Sequence, residues 1–153
     1  MQAKDLQFKV KSFSIKQLIE LMKEEKVIYN KDFKYIYPNK ESLDVSMSKF
    51  FESVLIKFPV QPIWLSLTKD NYYRVMKGHD IFIYLQDFFL NDNIYRNNGK
   101  LKNMAYMEEL NGKTFNELDK QYQRKINEFM IETYVVDSGV PEDVLWDIYS
   151  RLK

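Results

Sequence analysis

The chain has 153 residues, of which 45% are hydrophobic and 16% aromatic, enough for one domain with its own core. Its formal net charge of +1 gives no overall attraction to nucleic acid or an anionic membrane, although a local basic face remains open. With no cysteine and one histidine, the sequence excludes disulfides, zinc–thiolate sites, a cysteine nucleophile and multi-histidine metal sites.

The N-terminal segment lacks the apolar core of a signal peptide, and no apolar run approaches the roughly 18 residues that a membrane span needs. The lack of cysteine fits a reducing compartment. We therefore expect a soluble, cytoplasmic protein with no membrane partner, and we predict neither a metal site nor a cofactor.

The first half of the chain predicts a strand followed by two helices. Residues 6–10 alternate between apolar and polar side chains, as a short strand does. Ser14 and Gln17 have the spacing of a capping box, which opens a helix. After Pro38, apolar residues recur at helical spacing from Leu43 to Val54 and predict a second helix.

The middle of the chain predicts a hairpin, a glycine turn and a helix. Residues 63–68 and 72–76 are strand-like and flank a short polar turn, so we expect them to pair antiparallel. Gly78 then opens an amphipathic helix that carries Ile81 and Phe88 on its apolar face. Residues 91–100 form a polar loop.

The last third predicts helix, strand and helix. Thr114 and Glu117 form a second capping box, which should open a helix reaching residue 129. Met130–Val136 is β-prone, and Pro141 suits the start of a final helix. We expect both tryptophans in the core. No repeat or linker divides residues 1–153, so the pattern predicts a single α+β domain.

The corner around Gly78 is the candidate anion or nucleotide site, formed by Lys77, Gly78, His79 and Asp80. A strand–glycine–helix corner directs backbone N–H groups and a partial positive charge toward its ligand, which suits a phosphate or carboxylate. Lys77 adds a positive charge, whereas the Asp80 carboxylate competes for the same donors. The alternative is a plain turn with glycine at positive φ.

Motifs spread along the chain carry a family resemblance. They are residues 51–54 (FESV), 58–65 (FPVQPIWL), 72–81, 110–115 (LNGKTF) and 147–153. In this order and spacing they resemble the domain-of-unknown-function family 262, the N-terminal domain of GmrSD-type restriction systems. The resemblance covers residues 12–153 and implies a ParB/sulfiredoxin-like fold with C-terminal helices. Since larger members of that family continue past this point, the resemblance leads us to expect that this chain is short or a fragment.

The family's Asp-Gly-Gln-Gln-Arg motif is altered here, and this alteration sets the predicted function. The resemblance implies nucleotide or phosphodiester hydrolysis tied to phage defence, with an acid and an arginine at the site. Lys77 and Ile81 stand at those two positions, and only Gly78 is kept. Losing a charge-assisted hydrogen bond costs about 1.5–3 kcal/mol, and losing a general acid or base costs about 10²–10⁴ in rate. We predict no catalytic residue and a non-catalytic binding or regulatory module.

Two alternatives remain open. The chain is an enzyme with an altered active site that hydrolyses a nucleotide or nucleic acid, or it is a protein-interaction partner from a phage or mobile element. For the enzyme, His79 and Asp80 would form a new acid–base pair held beside Lys77. Adjacent residues at a helix start point in different directions, so a solvent-facing turn histidine is the competing interpretation.

The candidate nucleic-acid residues are Lys34, Tyr35, Tyr37 and Lys40. Aromatic side chains between basic ones can stack on bases while the lysines contact phosphates. The alternative is a half-buried strand with solvated lysines.

Overall fold

The computed structural model describes residue 2 and residues 5–32, 36–90 and 99–153. Lys34, Tyr35 and most of the predicted polar loop at 91–100 lie outside these residues. The strands are β1 (Phe8–Ser14), β2 (Val27–Ile28), β3 (Ile63–Leu67), β4 (Tyr73–Lys77) and β5 (Met130–Val136). The α-helices are α1 (Ile15–Lys23), α2 (Lys40–Leu55), α3 (His79–Leu85), α4 (Lys120–Glu128) and α5 (Glu142–Leu152). None of the helices in the described residues has the length and apolar character needed to cross a membrane.

The five strands form one mixed sheet in the order β1-β5-β3-β4-β2, so the described chain has a mixed α/β structure. β1 is antiparallel to β5, β5 is parallel to β3, and β2 is parallel to β4. β3 and β4 pair antiparallel, with Leu65 opposite Val75. This pairing confirms the predicted hairpin.

The two capping boxes have different outcomes. The Gln17 N–H donates to Ser14 Oγ at 3.0 Å, and the Ser14 N–H donates to Gln17 Oε1 at 2.8 Å, so α1 begins as predicted. The Thr114 box also forms, but it opens only a short 3₁₀ turn. Leu118 then adopts an extended conformation with ψ 147°, because its side chain turns into the core. The predicted start of that helix is therefore wrong, and α4 begins at Lys120.

The main core lies on one face of the sheet. Strand residues that share this face, such as Ile63, Leu65 and Ile131, form one apolar cluster with buried side chains of α1, α2, α3 and α4. Burying such aliphatic side chains stabilises the fold by about 1.5–3 kcal/mol each. This face therefore fixes α2 and α3 against the sheet.

The opposite face is covered in part by α5. Val144 and Ile148 are four residues apart and pack with Met76 and Val136. Trp146, two positions from both α5 residues, points outward and is 65% exposed, so its predicted place in the core is wrong. Trp64 is half-buried on the sheet side of this second cluster.

Candidate functional site

The turn between β4 and α3 requires glycine at position 78. Its φ is +101°, a left-handed conformation that side chains with Cβ rarely adopt. A Cβ built there would also lie 2.5 Å from Cγ2 of Ile63, which is fully buried in β3. Gly78 is therefore explained by backbone conformation and packing alone, whether or not a ligand binds.

The start of α3 offers less to an anion than the sequence suggests. α3 has seven residues and continues into a π-helix, Gln86–Leu90. The Ile81 N–H donates both to Gly78 O at 3.1 Å and to Asp80 Oδ1 at 3.0 Å. This donor is thus already engaged, as expected of a carboxylate in the first turn.

A cleft of about 480 Å³ lies beside the corner. Three parts of the chain form its walls: one face of α2, the segment 59–62 that precedes β3, and the β4–α3 corner. The lining residues are Ser46, Lys49, Phe50 and Ser53 from α2, Pro59, Val60, Gln61 and Pro62 from the segment, and Lys77, Gly78, Asp80, Ile81 and Tyr84 from the corner. Three of the four predicted corner residues, Lys77, Gly78 and Asp80, therefore line this cleft.

The cleft carries more positive than negative charge. Lys49 on α2 and Lys77 at the end of β4 come from different walls, and both side chains are exposed. Asp80 is the single carboxylate among the described lining residues. The sequence reasoning missed Lys49, Ser46 and Ser53, although polar residues three and four positions apart beside Phe50 signal a shared helix face.

His79 does not belong to the described lining of the cleft. Its imidazole is half-buried, and burial lowers its pKa below the ordinary value, with the Asp80 carboxylate acting in the opposite direction. The ring is therefore neutral at pH 7 and supplies no positive charge to the corner. The geometry separates His79 from the other three candidate residues.

Tyr84 lines the cleft and is paired with Tyr37, which is not among the described lining residues. The hydroxyls of Tyr37 and Tyr84 are hydrogen-bonded to each other, and their ring centroids are 5.9 Å apart. Burial raises the pKa of both phenols, and a hydrogen bond with Ser46 opposes that rise. Both phenols stay protonated at neutral pH, so neither serves as a base. Tyr37, a nucleic-acid candidate, thus has an internal partner.

Lys40, the other described nucleic-acid candidate, is held by two carboxyl groups. Its Nζ lies 2.8 Å from Asp44 Oδ1, one helical turn along α2, and 2.7 Å from Asp87 Oδ1 in the π-helix. Burial alone would lower the pKa of Lys40, but the hydrogen bonds to Asp44 and Asp87 raise it above its ordinary value. The Lys40–Asp44 spacing is visible in the sequence, whereas Asp87 is brought in only by the fold.

Asp87 is the most perturbed acid of this group. Its side chain is 1% exposed, and a Cβ at Gly99 would collide with its Oδ2. Burial and a hydrogen bond with the Asp44 carboxyl raise the pKa of Asp87 to about 8, against the lowering effect of Lys40. At neutral pH Asp87 is therefore mostly protonated, which keeps its negative charge out of the buried site beside Asp44 and Lys40.

In the described parts of the chain, no group of three or more acidic or histidine side chains is placed to hold a metal ion. Comparison of the chain with protein-family models, curated proteins and solved structures found no match.

Proposed function

We propose that the chain is a non-catalytic binding module whose cleft beside Gly78 takes a phosphate-bearing small molecule of the nucleotide class. The observation that carries this proposal is the meeting of Lys49 and Lys77, from separate walls, over one cleft with hydroxyl and aromatic groups. We further propose a ParB/sulfiredoxin-like domain derived from a nucleotide-processing phage-defence domain. That part rests on the order of the sequence motifs.

The cleft has suitable size and chemistry for such a ligand. Its volume of about 480 Å³ lies inside the range of roughly 300–1,000 Å³ that small-molecule sites occupy. Phe50 and Ile81 supply apolar surface, while Ser46 and Ser53 supply hydroxyls. The lysines would contact the phosphates as point charges. The anion is therefore held by side chains and not by the start of α3.

The same residues argue against hydrolysis. Catalysis would require a positioned base or an electrophile that acts on the phosphate. His79 lies outside the described lining, and the Tyr84 phenol keeps its proton because burial raises its pKa. Asp80 is already engaged by the Ile81 N–H at 3.0 Å. The cleft can hold a charged ligand without activating water.

Titration calorimetry at low ionic strength with ATP, ADP and inorganic phosphate tests binding. Lys77→Glu should weaken ATP binding about fivefold, or about 1 kcal/mol, the upper end for an exposed ion pair. Asp80→Asn should strengthen it by removing a like charge. Lys69→Glu is the matched control, because Lys69 lies in the exposed turn at the other end of the β3–β4 hairpin. Added salt should weaken all binding.

Two results would overturn the proposal. If the Lys77 and Asp80 variants both bind ATP as wild type does, the corner is only a turn and the protein-interaction alternative leads. If ATP is hydrolysed with magnesium or manganese, and His79→Ala abolishes that turnover, the altered enzyme is the correct description.

A further inference from the structure

Among the described residues, the outer strand β1 has no strand paired on the side that faces away from β5. In the described sheet β1 is terminal, and β5 is its strand partner. At the two ends of the ladder, the Asp137 N–H donates to Gln7 O and the Ile15 N–H donates to Phe129 O, both at 3.0 Å. In an antiparallel ladder such bonds recur at every second residue. Odd-numbered β1 residues thus bond β5, and the N–H and C=O groups of the even-numbered ones point away from it.

Two even-numbered residues of β1, Phe8 and Val10, form an exposed apolar surface beside this open side. Phe8 is 42% exposed and Val10 is 59% exposed, and both lie on the sheet face that α5 covers only in part. Phe8 packs on Trp64 with ring centroids 5.4 Å apart, and Trp64 stacks on Tyr134 at 4.6 Å. The backbone groups available for pairing and the exposed apolar side chains therefore belong to the same residues.

An apolar cavity continues this surface where β1 begins and α5 ends. It has a volume of about 510 Å³, and its apolar walls include Leu6, Phe8, Trp64 and Leu152. Arg151 also lines it, with Nε bonded to an Asp147 carboxylate oxygen at 2.9 Å. A side chain entering from the open edge of β1 would reach this cavity without crossing the sheet.

Two odd-numbered residues of β1 determine which charge is favoured on an incoming strand. Lys9 and Lys11 are exposed on the other face of β1. If a second copy paired antiparallel with Val10 opposite Val10, Lys9 would lie directly opposite Lys11, and like charges in that position are destabilising. The lysines thus disfavour self-pairing, and acidic side chains opposite them would be favoured.

We propose that the open edge of β1 binds an extended acidic segment of a partner protein as an added antiparallel strand. The segment alternates apolar and acidic residues. Its apolar side chains lie against Phe8 and Val10 and enter the cavity near Leu152. Its carboxylates lie opposite Lys9 and Lys11, in the closely spaced pairs that do not exchange hydrogen bonds across the ladder. Main-chain hydrogen bonds hold the strand, and side-chain charge selects it.

The test uses the full chain and a capped, fluorescein-labelled heptapeptide that alternates glutamate and valine. Fluorescence anisotropy at 50 mM salt should show saturable binding, which falls as salt is added. A peptide with lysine in place of glutamate should bind at least tenfold more weakly. The double variant Lys9→Glu/Lys11→Glu should reverse this preference. Lys69→Glu/Lys120→Glu, with the same charge change at exposed sites away from β1, should leave it unchanged.

A backbone test separates edge pairing from simple charge attraction. Val10→Pro removes an N–H that points away from β5, so the β1–β5 ladder is kept while edge binding is lost. Circular dichroism shows whether this variant is folded. If it is unfolded, the test instead uses the wild-type protein and a glutamate–valine peptide that is N-methylated at alternate residues. This modified peptide should not bind.

Any of three binding results would overturn the proposal. The glutamate peptide shows no binding up to 1 mM, or it binds no better than the lysine peptide, or the N-methylated peptide binds as well as the unmodified one. Concentration-dependent dimerisation in sedimentation, abolished by Val10→Pro, would also overturn it by assigning the edge to a second copy.

Discussion

Replacing Asp87 by asparagine should change the pH dependence of stability. In wild type the protonated Asp87 carboxyl bonds the Asp44 carboxyl and also contacts Lys40 Nζ at 2.7 Å. Asparagine keeps the shape, donates to Asp44 through its amide and accepts from Lys40 through its oxygen, but cannot ionise. The substitution therefore removes one titration and leaves both contacts possible.

The size of the expected stability change follows from the pKa of Asp87 in the folded and in the unfolded chain. Burial raises its folded pKa to about 8, from the ordinary value of 3.8 in the unfolded chain. Between these values the folded chain holds a proton that the unfolded chain releases, so wild-type stability falls as pH rises through this window. The slope is about 1.4 kcal/mol per pH unit. Between pH 5 and pH 7.5 the stability of Asp87→Asn relative to wild type should rise by about 3 kcal/mol. This difference in the free energy of unfolding should level off above pH 8.

Urea unfolding of both proteins at half-unit pH intervals measures this difference. His79 also titrates there, since burial lowers its pKa and protonation destabilises the fold below about pH 6.5, but both proteins share that effect. Asp70→Asn, in an exposed turn, is the control and should track wild type. A difference that does not grow with pH, or a variant less stable than wild type at pH 8, would show that Asp87 is not protonated in the folded chain.

Three further changes test local contacts by urea unfolding. Gly78→Ala should lower the free energy of unfolding by about 2–4 kcal/mol, because the strain of positive φ adds to the clash with a buried neighbour. Gly112→Ala has φ +87° and open space around it, so it should show only the smaller backbone cost. Glu52→Gln should cost about 1.5–3 kcal/mol, because its carboxylate accepts from three backbone N–H groups, the shortest from Tyr106 at 2.8 Å; an unchanged midpoint would mean that solvent replaces these bonds. Ser14→Ala should cost about 1 kcal/mol by removing one half of the capping box, and a cost equal to that of a surface substitution would contradict its capping role.

The candidate site could be predicted only in part. Lys77, Gly78 and Asp80 are neighbours in the sequence, so their shared place at the cleft required no knowledge of the fold. Lys49 reaches the same cleft from a distant helix, which no local pattern indicates. His79 is adjacent to Gly78, yet it does not belong to the described lining of the cleft, because direction at a helix start changes by about 100° per residue.

Elements whose cause is local could be predicted from the sequence. The Ser14 capping box, the helical spacing from Leu43 to Val54 and the strand–turn–strand pattern before Gly78 all depend on residues within a few positions of one another. Hydrogen bonds and apolar periodicity at that range are visible in a linear chain. These elements therefore formed where they were expected.

Contacts and burial that depend on packing between distant parts of the chain are visible only in the folded structure. The pairing of Lys40 with Asp87 joins residues 47 positions apart, and Leu118 leaves the helical conformation because the core accepts its side chain. Trp146 is exposed because Val144 and Ile148 occupy the side of α5 that meets the sheet. Whether a side chain is buried depends on which other element packs against it, and a local stretch of sequence does not show that partner.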